Sequence, residues 1–378
     1  MTAFPRRRWL LGTSALSAAL LLPGCGSIPF LGRRHEPGSC LPPSEEIPDE
    51  VHETVPDGVR AGVTEPSPDR RFLTSGFAVS PDGTLLAACE SYDRWALDLA
   101  DSYGVILWDT ASGEVVRRIS APAQGAIAWH PDGTRLAIAG GRHITIVDVE
   151  GELQWNLIGH ELPRGRIANV LDVAYSPEGT QLASTSTDGT VRLWDMSGQQ
   201  CAAGHILAPG RRSEARVSYS PDGSVLAVGA TATWGEGDAD NPPELWDPAS
   251  GDGRTVLRDV HGIVFGLGHS GDGSLLALTH GPDSLTVIDP DGTMSEGPVT
   301  ASTQFAELAV GSGSRVAIHS GEGELMIWDR ATGDQMLLED VSLDRMCWSP
   351  DESVLYALHH ESGAAAWDGQ DWRQFELP

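Results

Sequence analysis

The sequence contains no lysine; its 25 basic residues are all arginine, set against 53 Asp and Glu, and the formal net charge is −28. Binding to a phosphate backbone needs a basic stripe, and none is present, so nucleic acid is excluded as a partner class. The missing lysine, beside abundant Ala, Gly and Pro, is better explained by codon supply in a GC-rich genome than by selection for guanidinium chemistry. Aromatics are scarce at 6% of residues. No segment after residue 70 sustains a 3.6-residue apolar period, which argues against helices. No GxSxG elbow, phosphate-cradling glycine loop, HExxH or CxxC pattern occurs, so the sequence predicts no enzyme, no cofactor and no metal. One apolar run stands out, Trp9 to Leu22, and it is too short to span a bilayer comfortably.

What the sequence does have is a cadence. A turn motif recurs as Ser80-Pro-Asp-Gly, His130-Pro-Asp-Gly, Ser176-Pro-Glu-Gly, Ser220-Pro-Asp-Gly, Ser270-Gly-Asp-Gly, Val310-Gly-Ser-Gly and Ser349-Pro-Asp-Glu. The copies start 50, 46, 44, 50, 40 and 39 residues apart, which sets a repeat of supersecondary size. Each precedes a short apolar run and then a closing pair: Trp108-Asp109, Val147-Asp148, Trp194-Asp195, Trp246-Asp247, Ile288-Asp289, Trp328-Asp329 and Trp367-Asp368. Proline presets the first corner of such a turn, Asp bonds the backbone two residues on, and Gly takes positive φ without penalty. The flanks, such as Val191-Arg-Leu-Trp, are apolar, β-branched or aromatic and read as strands. Seven units of about four antiparallel strands cannot each bury both faces alone. Stacked around an axis they share one continuous core, so the sequence predicts an all-β, seven-bladed β-propeller over 71–378 with the closing Trp residues packed between blades.

This pattern resembles the WD40-repeat β-propeller family in a degenerate bacterial form. The third unit fits best, with Gly159-His160, Ser184, Asp188-Gly189 and Trp194-Asp195. The resemblance implies a hydrogen-bonded network of His160, Ser184, Asp188 and Trp194 within one blade. The other units lack most of these residues.

Residues 1–24 read as a signal peptide: Arg6-Arg7-Arg8, the apolar run, then Leu22-Pro-Gly-Cys25. The ending resembles a bacterial lipobox, which implies cleavage before Cys25 and lipid attachment to its sulfur. Arg6-Arg7-Arg8-Trp9-Leu10 also resembles the twin-arginine export pattern, and an ordinary basic start to a signal peptide remains open beside it. Residues 25–70 carry eight prolines between Gly26 and Asp69, and read as a lipidated, acidic tether outside the plasma membrane.

Export changes the reading of the cysteines. Cys40, Cys89, Cys201 and Cys347 allow three pairings in an oxidising compartment, with Cys40–Cys201 among them. Cys89 and Cys347 fall on predicted strands and read as small buried hydrophobes. Aligned repeats put Gly76, Ala126, Asp172, Arg216, Gly266, Ala306 and Arg345 at the channel mouth. Asp172, Arg216 and Arg345 make either an ion pair there or the site of the alternative reading, a lactonase- or dehydrogenase-like propeller enzyme. His280, His319, His359 and His360 end second strands and read as packing rather than metal-binding residues.

The insertions are one-sided. Short turns join first to second and third to fourth strands. Long segments lie between second and third strands, Ser91–Tyr103 and Thr231–Pro243, and between blades, Glu161–Asn169 and Ile206–Glu214. Loops tolerate growth at little entropic cost, but growth on one face points to function. One such loop combines Tyr92 and Trp95 with Asp93, Asp98 and Asp101; another combines Trp234 with Glu236, Asp238 and Asp240. Exposed aromatics among acids favour a protein partner with a cationic surface. The sequence therefore predicts a monomeric, lipid-anchored scaffold.

Overall fold

The protein is described from a computed structural model. The described residues are 39–42 and 72–375, without 92–101, 120, 122, 124, 142, 161–167, 198–201, 208–213, 232–241, 254, 281–283, 299–306, 321 and 360–362. Of two compact units, Met1–His35 falls outside the described residues and Glu36–Pro378 contains every sheet.

A three-residue strand, β1 Ser39–Leu41, comes first. Blade one is β2 Phe72–Val79, β3 Leu85–Ser91, β4 Ser102–Asp109 and β5 Val115–Ile119. Blade two is β6 Ile127–Trp129, β7 Arg135–Gly140, β8 His143–Asp148 and β9 Leu153–Ile158. Blade three is β10 Val170–Tyr175, β11 Gln181–Ser186, β12 Val191–Asp195 and β13 Ala202–Leu207. Blade four is β14 Glu214–Tyr219, β15 Leu226–Thr231, β16 Glu244–Trp246 and β17 Thr255–Val256. Blade five is β18 Val264–His269, β19 Leu276–His280, β20 Ser284–Ile288 and β21 Met294–Glu296. Blade six is β22 Glu307–Val310, β23 Arg315–His319, β24 Leu325–Asp329 and β25 Gln335–Leu338. Blade seven is β26 Arg345–Trp348, β27 Leu355–His359, β28 Gly363–Trp367 and β29 Trp372–Gln374. Every blade is an antiparallel meander in chain order, and the fold is the seven-bladed propeller that the repeat predicts.

The physical reason for the apolar strands is that both faces of each blade are buried. Successive side chains of a strand point to opposite faces. In β3, Leu86 and Ala88 pack toward blade seven, while Ala87 and Cys89 pack toward blade two. Seven apolar clusters result, one at each interface between neighbouring blades. Trp108, Trp194, Trp246 and Trp367 are buried in them.

The turn motif carries its own hydrogen bonds. Ser80 Oγ donates to Asp82 Oδ1 at 2.6 Å and accepts from Leu85 N at 2.9 Å. Ser220, Ser270 and Ser349 repeat that pair of contacts. The serine hydroxyl thereby lowers the pKa of Asp82, and takes those of Asp222 and Asp351 down to about 2. The turns also touch around the ring. Gly133 lies against Pro81, Gly179 against His130, Gly223 against Glu178 and Gly273 against Pro221. Gly271 then meets Ser312, Gly311 meets Glu352, and Gly83 meets Pro350, which closes the circle.

Among the described residues no strand is exchanged between the two ends of the ring; β2 stays in blade one and β29 in blade seven. Closure rests on side chains. Phe375 is buried with Leu86, Ile106 and Trp108, and Arg373 donates to Thr110 O at 2.6 Å and to Ala111 O. One element departs from the sequence reading. Ser39–Leu41, inside the span assigned to a tether, pairs antiparallel with β9 as a fifth strand of blade two.

Candidate functional site

Blade three holds a Ser-His-Asp constellation, with its residues on β11, on the turn after it, and on the connection that enters the blade. His160 Nδ1 donates to Asp188 Oδ2 at 3.1 Å, which leaves Nε2 to accept the Ser184 hydroxyl at 2.8 Å. Ser184 Oγ in turn accepts the Trp194 indole N–H at 2.9 Å. Asp188 Oδ1 takes Thr190 N at 2.9 Å and Thr190 Oγ1 at 2.7 Å. Burial alone would raise the Asp188 pKa, but the contacts with His160 and Thr190 outweigh it and the net shift is down. The order of groups is that of a serine nucleophile with its base and orienting acid. Its surroundings are not: Ser184 is 0% exposed and its oxygen is already engaged by Trp194, so no electrophile reaches it. The constellation is a strut that ties the connection to the second and third strands of its blade.

Other blades replace the strut piecemeal. In blade four the Trp246 indole donates to the buried Glu244 carboxylate at 3.1 Å. In blade five His280 Nδ1 donates to His261 O and Nε2 accepts from Thr286 Oγ1, both at 2.8 Å. In blade six His319 Nε2 donates to Val341 O at 2.9 Å. Burial lowers the pKa of both histidines. His359 ends β27, and His360 lies outside the described residues. Among the described residues no group of His, Cys, Asp and Glu is arranged to hold a metal.

Of the residues assigned to the channel mouth, Asp172, Arg216 and Arg345 interact electrostatically. Asp172 on β10 accepts Val173 N at 3.0 Å and, from blade four, Val217 N at 3.1 Å. Crowding by protein raises its pKa, and the Arg216 and Arg345 guanidiniums offset this only in part. Both arginines, from blades four and seven, thus act on one carboxylate. Arg345 also donates to Glu307 Oε2 at 2.8 Å. The repeat alignment missed Glu307, because it pointed one residue earlier, to Ala306, which lies outside the described residues. The signal was an acid opening the first strand of blade six. Gly76 and Gly266 leave no room for a side chain: a Cβ on them would stand 2.5 Å from Cys89 Sγ and 2.3 Å from Leu308 Cβ.

Cys40 is disulfide-bonded, while Cys89 and Cys347 are not. Burial pushes the Cys347 thiol up to about 12, as expected for a packing residue. Cys25, Cys201 and the two loop clusters (Tyr92, Asp93, Trp95, Asp98 and Asp101; Trp234, Glu236, Asp238 and Asp240) lie outside the described residues.

Residues 151–195, the span from the outer strand of blade two through the strut, match the family described as WD domain, G-beta repeat. The protein is a seven-bladed β-propeller, and one of its repeats is similar to that family. Human WD repeat-containing protein 90 is 23% identical over 337 residues, covering 82% of this chain and 18% of that protein. The target of rapamycin complex subunit wat1 of Schizosaccharomyces pombe is 31% identical over 118 residues, 31% of this chain and 34% of the relative. The propeller therefore spans well under half the length of these relatives. Among solved structures, Kuenenia stuttgartiensis hydrazine synthase superposes with a TM-score of 0.62 at 16% identity, over 79% of this chain and 96% of that one. The β-propeller domain of Myceliophteria thermophila Cps50 (Swd1) gives 0.59 at 16% identity, over 79% and 99%. These two likenesses concern the fold alone.

Proposed function

We propose that this protein is a lipid-anchored, extracytoplasmic propeller that binds another protein through one face of its disc. The observation that carries the reading is the contrast between the two faces. On one, the turn motifs pack on each other around the ring. On the other, the strands bordering residues 92–101, 161–167, 208–213 and 232–241 all end. A face built of interlocked turns is rigid; a face built of insertions is where recognition concentrates. Trp95 and Trp234 are the anchors in this reading, and their acidic neighbours select a cationic surface. Similarity to WD-repeat proteins, one of them a subunit of a complex, supports a protein-binding role. The Cys40 disulfide supports export, because disulfides persist in oxidising compartments. Among the described residues no helix is long and apolar enough to cross a membrane. Cys25, at the end of the stretch that resembles a lipobox, is the attachment point in this reading.

Shortening 92–101 and 232–241 to tight turns tests the binding face. Partner capture from cell envelopes should vanish while the melting temperature stays nearly unchanged; full capture by the folded, shortened protein would refute the reading. Cys25→Ser tests the anchor, and should move the protein to the soluble fraction or leave uncleaved precursor. A correctly processed Ser variant that stays in the membrane would contradict it. The second reading, an enzyme at the channel mouth, rests on the raised pKa of Asp172 beside Arg216 and Arg345.

A further inference from the structure

The strand β1 has too little ladder to hold itself. Its pairs are Ser39 with Ile158, Cys40 with Leu157 and Leu41 with Asn156. Three residues of pairing at a sheet edge offset little more than the entropy of ordering them. Two further contacts act on the same segment. Cys40 packs on the apolar cluster between blades two and three, and β1 lies against β13 as well as β9. Cys40 is also disulfide-bonded.

The chain has five cysteines, and neither Cys89 nor Cys347 is in a disulfide, so the partner of Cys40 is Cys25 or Cys201. Cys201 immediately precedes Ala202, the first residue of the strand that β1 touches; it lies itself outside the described residues. We propose that Cys40 pairs with Cys201, and that this crosslink pins Ser39–Leu41 as a strap across the outer rim of blades two and three. Two thiols lose two protons and two electrons to form the bond. The acceptor is the disulfide form of a dithiol oxidoreductase, which leaves as the dithiol.

The strap has a consequence that rests on Cys25 being the lipidated residue. With β1 pinned, only residues 26–38 separate the anchor from the propeller, a reach of about 45 Å when fully extended. Without the pin, residues 26–71 separate the anchor from β2, a span of at most about 160 Å when fully extended. The crosslink therefore sets how far the propeller stands from the bilayer, and makes the rim of blades two and three its point of suspension. A dithiol reductant that opens the bond lengthens the leash more than threefold.

Full-length protein, purified from envelopes with thiols blocked and digested without reductant, provides the test. The proposal expects a linked peptide pair containing Cys40 and Cys201. A Cys25–Cys40 pair, or alkylated Cys40, would overturn it. Lipid on the Cys25 peptide is read in the same spectrum, so a bare Cys25 beside an intact 40–201 link would count against the anchor alone. Hydrogen exchange on wild-type protein before and after dithiothreitol tests the pin without relying on a variant. Amides of 39–41 should lose protection at least tenfold on reduction while β7 and β8 keep theirs; unchanged protection at 39–41 would show that the crosslink pins nothing.

Discussion

Gly179 shows how much one hydrogen atom can decide. It sits at φ 69°, where an L side chain is strained, and a Cβ would stand 2.3 Å from His130 Nε2 of the neighbouring blade. Gly292 has a similar φ of 84° with nothing within 4 Å of a Cβ. Gly292→Ala should destabilise by about 1 kcal/mol through backbone strain alone, and Gly179→Ala by about 2–4 kcal/mol through strain plus collision. Chemical denaturation of the two variants checks this; equal values would mean that the turns do not pack on each other. The strut gives a second contrast at this scale. Trp194→Ala should lose roughly 3–5 kcal/mol with its buried ring, and Asp188→Ala roughly 1–3 kcal/mol by stranding donors in His160 and Thr190. Ile288→Ala, in a blade without that chain of bonds, should fall below Trp194→Ala, and three equal melting shifts would contradict the strut.

At the scale of the element, what the sequence made legible was what is local. A turn motif and a closing pair lie within about thirty residues of each other, and they set the ends of second and third strands in all seven blades. Three features were not legible because their partners are remote. β1 has no alternating pattern and pairs with a strand more than a hundred positions away. Glu307 escaped because the channel level was set by counting back from the turn motif, and in blade six the turn opens with Gly311 N donating to Arg315 O, one residue after the Val310 from which the count began. Closure of the ring by Phe375 and Arg373 joins the two ends of the propeller. That closure is testable. Phe375→Ala should destabilise by about 3 kcal/mol through cavity formation, and Arg373→Ala by about 2 kcal/mol through loss of charge-assisted bonds to Thr110 and Ala111. Denaturant midpoints unchanged from wild type would show that blades one and seven hold together by other means.

For the whole molecule, buried histidines give stability a direction in pH. Burial pushes His269 down to about 4, and lowers His280 and His319 as well. A depressed histidine favours the neutral form in the folded state, so its contribution is complete above about pH 6.5 and is lost as pH falls toward the folded value. The melting temperature should therefore drop between pH 6.5 and 4. The turn aspartates, whose pKa values are about 2 for Asp222 and Asp351, extend the loss below pH 4. Asp172, raised by burial, opposes the trend with the reverse sign. His269→Gln should flatten the upper part of the profile by about 1–2 kcal/mol after allowance for solvent screening. A profile identical to wild type would assign the acid sensitivity elsewhere.

The same molecule has one face of interlocked turns and one at which the strands bordering the long segments end, and the account stands on the claim that only the second recognises a partner. A photo-crosslinking amino acid placed in the full-length, membrane-resident protein at position 95 or 234, and separately at Ser112 or Thr332 on the turn face, tests it most directly. The account predicts one shared crosslinked protein from positions 95 and 234 and none from 112 and 332. Crosslinks to that protein from the turn face, with none from 95 and 234, would contradict it.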